Sequence, residues 1–210
     1  MNGNLKEITS SKMLEELYGK PVERALWKEI DHINEHYQQF IEASPFLILA
    51  TYGDKGVDCS PRGDPAGFVR VVDKHHLLIP DRKGNNRLDS LHNIIKNKNV
   101  GLIFIIPNVG ETIRVSGQAK ILIDDKLCES FSINGKPASS VLSVKVEKAY
   151  FQCQKAIVRS SLWNSSSYIE RKELPTAGKM AKYFSSQRGA DFDGEAYDKN
   201  YPEHIKKTIY

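Results

Sequence analysis

The residues of this chain best equipped for chemistry sit in one run, Ile79-Pro80-Asp81-Arg82-Lys83-Gly84-Asn85-Asn86-Arg87-Leu88-Asp89-Ser90. An apolar strand ends there in polar and cationic residues. A helix is expected to follow at once, from about Arg87 to Asn97, with Leu88, Leu91, Ile94 and Ile95 on one stripe. A helix start carries unpaired backbone N–H groups and the positive end of the peptide dipoles, so a phosphate placed there meets several donors together. Asn85 and Asn86 can cap such a helix, and Arg87 can fork onto phosphate oxygens. The same residues also suit an ordinary capped helix with Arg82, Lys83 and Arg87 in solvent, and the segment alone leaves both readings open.

A second run, Cys153-Gln154-Lys155-Ala156-Ile157-Val158-Arg159-Ser160-Ser161-Leu162-Trp163, spaces Lys155 and Arg159 four apart. On a helix they share a face and can receive an anionic substrate group, or they are simply a solvated basic face. The remaining reactive side chains carry less. Cys59, Cys128 and Cys153 are odd in number, far apart and without a CxxC pair, which argues against a disulfide framework or a zinc site. The six histidines are scattered, with His75-His76 in a hairpin turn, and read as surface residues.

The elements that must position these runs are legible in outline. Val22, Ala25, Leu26, Ile30, Ile33, Tyr37, Phe40 and Ile41 recur at helical spacing, which predicts one packing helix with Trp27 in the core, stopped by Ser44-Pro45. A shorter helix precedes it, capped by Ser10 or Ser11 and ending near Gly19. Then the texture turns to strands: Phe46 to Thr51 and Val57 to Ser60 about an Asp54-Lys55-Gly56 turn, a loop from Pro61 to Gly67, and a second hairpin of Phe68 to Val72 and Leu77 to Pro80. Val100 to Ile106, Thr112 to Ile123 and Val141 to Phe151 complete the set, with a short helix expected over Asp124 to Ser132. Short connections make neighbours antiparallel, so the reading is a mainly β, α+β antiparallel barrel of six or seven strands with flanking helices.

At 210 residues with 40% hydrophobic and 27% charged content, the chain suits one domain with flanking elements. The net charge of +4 is spread over interspersed acids and bases, and the Leu102 to Ile106 strand is continuously apolar rather than alternating aromatic and basic, so nucleic acid is not an expected partner. No stretch has the length of a membrane span, and Met1 to Ser11 lacks the apolar run of a secretory signal; the expected location is cytoplasmic. The polar, Asp- and Tyr-rich tail from Gly189 to Tyr210 either docks on a neighbour or stays mobile.

The order of two strands, the IPDRKGNNRLDSL junction, the VGLIFIIP strand and the ETIRVSGQAKI strand resembles the pyridoxamine 5′-phosphate oxidase-like family of flavin-binding split barrels. Ser60-Pro61-Arg62-Gly63-Asp64 and Gly84-Asn85-Asn86-Arg87 resemble a subgroup of unsettled substrate. The resemblance spans about Ile41 to Trp163 and implies a Greek-key split barrel, homodimeric, with FMN at the subunit interface. It divides the chain into N-terminal packing helices over 1–44, the FMN-binding barrel over 45–163 and a C-terminal extension over 164–210. It implies that Asn85, Asn86 and Arg87 hold the phosphate, that Val69, Arg70, Ile79 and Pro80 lie beside the ring or ribityl chain, that Thr112 meets the ring's polar atoms, and that Trp163 covers a flavin face. Thr112 also suits a plain strand position and Trp163 a core one. Where the oxidase has a Ser-Arg-Lys run this chain has Asn85-Asn86-Arg87, one positive charge fewer, which Arg62 or Arg82 can supply.

The function this implies is hydride transfer between flavin N5 and a small substrate, with the cofactor carrying the chemistry and the protein positioning it. A flavin-binding or redox-sensing module without turnover, or a deazaflavin-dependent reductase, is the alternative on the same barrel. Haem would require an axial ligand, and no histidine sits on a convincing barrel strand.

Overall fold

The computed structural model describes residues 5–210, so the first four residues of the expected N-terminal unit lie outside it. Three helices, α1 (Ser11–Tyr18), α2 (Glu23–Trp27) and α3 (Glu35–Ala43), lead into a seven-stranded antiparallel sheet. The strands are β1 (Phe46–Gly53), β2 (Gly56–Gly63), β3 (Arg70–Asp73), β4 (His76–Asp81), β5 (Asn99–Ile105), β6 (Thr112–Leu122) and β7 (Ser140–Gln152), in the spatial order β2-β1-β5-β6-β7-β4-β3. Helix α4 (Asp89–Lys96) links β4 to β5, and α5 (Asp125–Ser130) links β6 to β7. Beyond the sheet come α6 (Lys155–Ser160), α7 (Ala177–Ser186) and α8 (Gly194–Thr208).

The sheet curls because its pairing is made to. Between β6 and β7 the register shifts at Ser116/Gly117, a bulge that sharpens the local twist. A Cβ at Gly117 would run into the Lys145 carbonyl, so the close approach there requires glycine. The alternating inward residues of the curled sheet, including Leu47, Leu49, Leu77, Ile79, Leu102, Phe104, Ile113, Val115 and Val144, fill one core with Ile33, Tyr37 and Ile41 of the α3 region and Ile94 of α4. Burying each such side chain contributes about 1.5–3 kcal/mol.

The single N-terminal packing helix expected from Val22 to Ile41 is two helices. After α2 the chain opens so that Ile30 exchanges both backbone hydrogen bonds with Ala149 of β7, at 3.0 and 2.7 Å, where β4 no longer pairs with that strand. Those unpaired edge groups of β7 outweigh helix continuity. Asn34 then starts α3 by accepting the Tyr37 N–H at 2.8 Å. Trp27, expected in the core, is 71% exposed, because the break turns the first half of the helical stripe away from the barrel.

Two further differences bear on the site. Strand β2 runs through Pro61 and Arg62 to Gly63 instead of stopping at Ser60. It is an edge strand of the sheet, where a residue without an N–H is tolerated. The tail is not featureless: α7 and α8 form a hairpin in which Asp198 accepts the Gly178 N–H at 2.8 Å. Tyr210 docks on the barrel, its carbonyl taking the Lys136 ammonium.

Candidate functional site

Asp58, Ser60 and Arg62 stand on alternate positions of β2 and are its half-buried face, while Val57, Cys59, Pro61 and Gly63 are exposed. Period-2 alternation therefore lines one face of the strand with an acid, a hydroxyl and a guanidinium about 6.6 Å apart. Opposite them lies the segment from Asp81 to Leu91. Between the two is a cleft of about 410 Å³.

At the cationic end two ion pairs tie the strand ends together. Arg62 of β2 pairs with Asp81 at the end of β4, and Arg82, just beyond β4, pairs with Asp64, just beyond β2, at 2.9 Å. The side chains are 19% and 9% exposed in the first pair, 17% and 4% in the second. The pairs are reciprocal, each strand end giving one arginine and one aspartate across a gap that no backbone hydrogen bond bridges. Neither guanidinium is satisfied by the protein: Arg62 Nε and Arg82 Nη1 are buried without an acceptor. Tyr210 covers Arg82, with the guanidinium carbon 5.7 Å from the ring centroid, and its phenol is pushed above its ordinary value first by burial and then by its hydrogen bond to Asp64.

The loop from Arg82 to Leu88 separates strand from helix, and the helix begins at Asp89, two residues later than the sequence suggested. Asn85 and Asn86 are not its caps. Asn85 Oδ1 accepts the Arg87 N–H at 3.1 Å, an Asx-type turn, and Asn86 and Leu88 adopt φ of 57° and 56°. Leucine in the left-handed region is uncommon, and such residues persist only where the surroundings hold them. With Leu88 as the flanking residue, α4 has no side-chain cap, so its first N–H groups open on the cleft that Leu88, Asp89, Ser90 and Leu91 line. Helix α4 is itself fixed against β1: Asn93 donates to Thr51 at 3.1 Å, over Gly53, where any Cβ would strike the Asn93 side chain.

Arg87 is 76% exposed and rests on Asp89, its Nε and Nη2 both 2.8 Å from Oδ2. An exposed pair of this kind is worth about 0–1 kcal/mol, so it is the arginine most readily redirected to a ligand. Arg62, Asn85, Asn86 and Arg87 thus line one cleft, and Arg82 with them.

The other expected contacts lie elsewhere. Val69 and Ile79 have their side chains in the core at 0% and 1% exposure, which leaves backbone groups as what they can offer a ligand, and Pro80 is buried in β4. Arg70 is committed to α5, where it donates to Ser130 Oγ at 2.9 Å and stacks 3.7 Å over Phe131. Thr112 is buried at the start of β6 beside Gln152. Trp163 is half-buried and donates its indole N–H to the Val109 carbonyl at 2.8 Å, pinning the end of α6 onto the β5–β6 turn. Lys155 and Arg159 do fall in a helix, exposed and in none of the ion pairs among the described residues. Arg114 stacks with its guanidinium carbon 5.4 Å from the Tyr150 ring centroid.

Sequence reasoning passed over Asp58 and Ser90. Ser90 Oγ donates to Asp58 Oδ2 at 2.7 Å and lies 2.9 Å from Ser60 Oγ, joining α4 to β2. The signal was present in the alternation Asp58-x-Ser60-x-Arg62, hidden by ending the strand at Ser60.

Residues 33–153 match the family model described as pyridoxamine 5′-phosphate oxidase. The chain belongs to that family. No curated protein matches it. Solved structures similar to it include HupZ of Group A Streptococcus, with 16% identity and a TM-score of 0.46 over 56% of this chain and 91% of that one. A Clostridium acetobutylicum protein of the pyridoxinephosphate oxidase family, related to general stress protein 26, has 16% identity and a TM-score of 0.43 over 58% and 91%. The FAD binding protein from Mycobacterium smegmatis has 15% identity and a TM-score of 0.41 over 59% and 97%.

An anionic cofactor fits the cleft on its own chemistry. Two arginines are held in place by aspartates while keeping buried N–H groups without acceptors, a third is easily redirected, and an uncapped helix start adds backbone donors. The three arginines are each balanced by one carboxylate and Asp58 adds a fourth on the lining, so what the cleft offers a phosphate is hydrogen-bond donors rather than net positive charge.

Proposed function

We propose that this protein binds FMN, its phosphate seated in the cleft between β2 and the segment from Asp81 to Leu91, and acts as an oxidoreductase on a small substrate. The observation that carries the reading is the pair of under-satisfied arginines, Arg62 and Arg82, fixed beside the uncapped start of α4. When bound, FMN supplies hydride exchange at its N5. The protein's part is to bind and orient. Arg62 and Arg82 offer preset N–H donors, Arg87 leaves Asp89 to close over the phosphate, and Asn85 and Asn86 shape the loop that brings it there. Lys155 and Arg159, free on one face of α6, receive an anionic group of the substrate.

The assembly proposed with it is a homodimer with the cofactor at the interface. Support comes from the outer face of the sheet, where Ile48, Ala50, Gly101, Ile103 and Tyr150 are half-buried around a groove of about 430 Å³. Apolar side chains gathered on one outer sheet face suit a second copy of the same face. The division into 1–44, 45–163 and 164–210, and a cytoplasmic location, belong to the same reading; among the described residues no helix is long and apolar enough to cross a membrane.

The experiment is an absorption spectrum of the purified protein, then mass identification of what is released on denaturation. Flavin bands with FMN released support the reading. A colourless protein that also leaves the fluorescence of added FMN unchanged overturns it.

A further inference from the structure

The chain Asp58–Ser90–Ser60 has a direction. A carboxylate only accepts, so Ser90 spends its one hydroxyl hydrogen on Asp58 Oδ2, 2.7 Å away. Ser60, 2.9 Å from Ser90 Oγ, must then be the donor of that second bond. Its own hydrogen is used, and what it has left for the cleft is lone pairs. Ser90 is only 4% exposed, so water has little access to relieve the arrangement, whereas Ser60 is half-buried on the lining.

We propose that this hydrogen-bond chain makes Ser60 an acceptor toward the cleft, so that the ligand must carry a hydroxyl or N–H donor about one strand repeat from its phosphate. The inference rests on the FMN reading and deepens it. Along β2 the lining passes from guanidinium at Arg62 to acceptor at Ser60 to carboxylate at Asp58, the first two about 6.6 Å apart. A phosphate monoester fits the Arg62 end, and a polyol chain running from it presents hydroxyl hydrogens to Ser60. An anion placed at Ser60 would face lone pairs and the Asp58 charge. The cleft is thereby polarised, and it selects a phosphorylated polyol such as the ribityl phosphate of FMN over a phosphate on a bare alkyl chain.

The test compares FMN with 7,8-dimethyl-10-(5-phosphopentyl)isoalloxazine, which keeps ring and phosphate and lacks the three side-chain hydroxyls, by fluorescence titration of the full-length protein. Wild type should hold FMN the more tightly. Ser60→Ala should weaken FMN about fivefold and leave the analogue within about twofold, the loss of one hydrogen bond to one ligand only. Ser90→Ala, which frees the Ser60 hydrogen while keeping its oxygen, should give the same selective loss at about two- to threefold, and serves if Ser60→Ala does not fold. Equal weakening of both ligands would mean that the serines only knit α4 to β2, and unchanged discrimination in both variants would mean that Ser60 does not face the ligand; either overturns the inference while FMN binding stands. Wild-type protein that binds neither ligand overturns the flavin reading and the inference together.

Discussion

The chain carries two sets of cations suited to anions, and they are built in opposite ways. Arg62 and Arg82 are mostly buried, each held by an aspartate from the other strand end, with N–H groups still lacking acceptors. Lys155 and Arg159 stand on a six-residue helix in solvent, four apart and in none of the ion pairs among the described residues. The same residue types thus serve different ends. Buried, preset guanidiniums have already lost their rotamer freedom and part of their hydration, so a ligand meeting them loses little more on binding, as suits a resident cofactor. Long exposed side chains are ordered only on contact, which suits a group that comes and goes.

The sharpest way to break this contrast is at the aspartates. Asp81→Ala leaves the Arg62 guanidinium nearly buried and unpaired, and is expected to destabilise the protein by about 3 kcal/mol, read as a lowered urea midpoint. A loss below about 1 kcal/mol would place Arg62 with the exposed cations instead. Next in size, Arg82→Met should weaken FMN by about ten- to a hundredfold in a fluorescence titration, the cost of a charge-assisted contact. Arg87→Ala should cost about three- to tenfold, since that side chain must first leave Asp89. The reverse order would move the phosphate from the buried pair to the loop.

On the other side of the comparison the effects shrink. Trp163→Phe removes the indole bond to the Val109 carbonyl that anchors α6, and about 1 kcal/mol of thermal stability should go with it. The double variant Lys155→Ala/Arg159→Ala should leave FMN affinity within about twofold and stability within about 0.5 kcal/mol. These cations still shape their surroundings. The Lys155 backbone N–H, and after it the Lys155 and Lys28 charges, hold the exposed Cys153 thiol below its ordinary value. Lowering it enlarges the thiolate fraction at neutral pH, so iodoacetamide at pH 7.5 should alkylate Cys153 ahead of the buried Cys128, and Lys155→Ala, which keeps the N–H, should slow that reaction by only about twofold.

Much of this architecture could be read before any coordinates. Alternating and continuous apolar runs located all seven strands, because side-chain period and burial are properties of neighbours in sequence. The Asp54-Lys55-Gly56 turn was legible for the same reason. Local patterns failed where distant backbone competed. The helical stripe from Val22 to Ile41 is real, yet the unpaired edge of β7 at Ala149 claimed Ile30 and split it, leaving Trp27 outside. The helices α7 and α8 escaped notice, and their hairpin is held by a contact twenty residues apart, Gly178 to Asp198.

For the site, residue type was enough to single out Asn85, Asn86 and Arg87, since cations and amides clustered at a strand end are informative by themselves, whereas Arg62 entered only through the family resemblance. Which of them would be held, and by what, was a matter of tertiary structure. Asp81 and Asp64 lie 19 and 18 residues from the arginines they pair with, and only the curl of the sheet brings the ends of β2 and β4 together. Ser90 reaches Asp58 across 32 residues. Composition and spacing determined that this chain would be an antiparallel barrel with cations and amides gathered at the end of β4. Strand order, and the side chains it set against one another, decided which arginines are fixed, which way the serine hydroxyls point, and where the cleft lies.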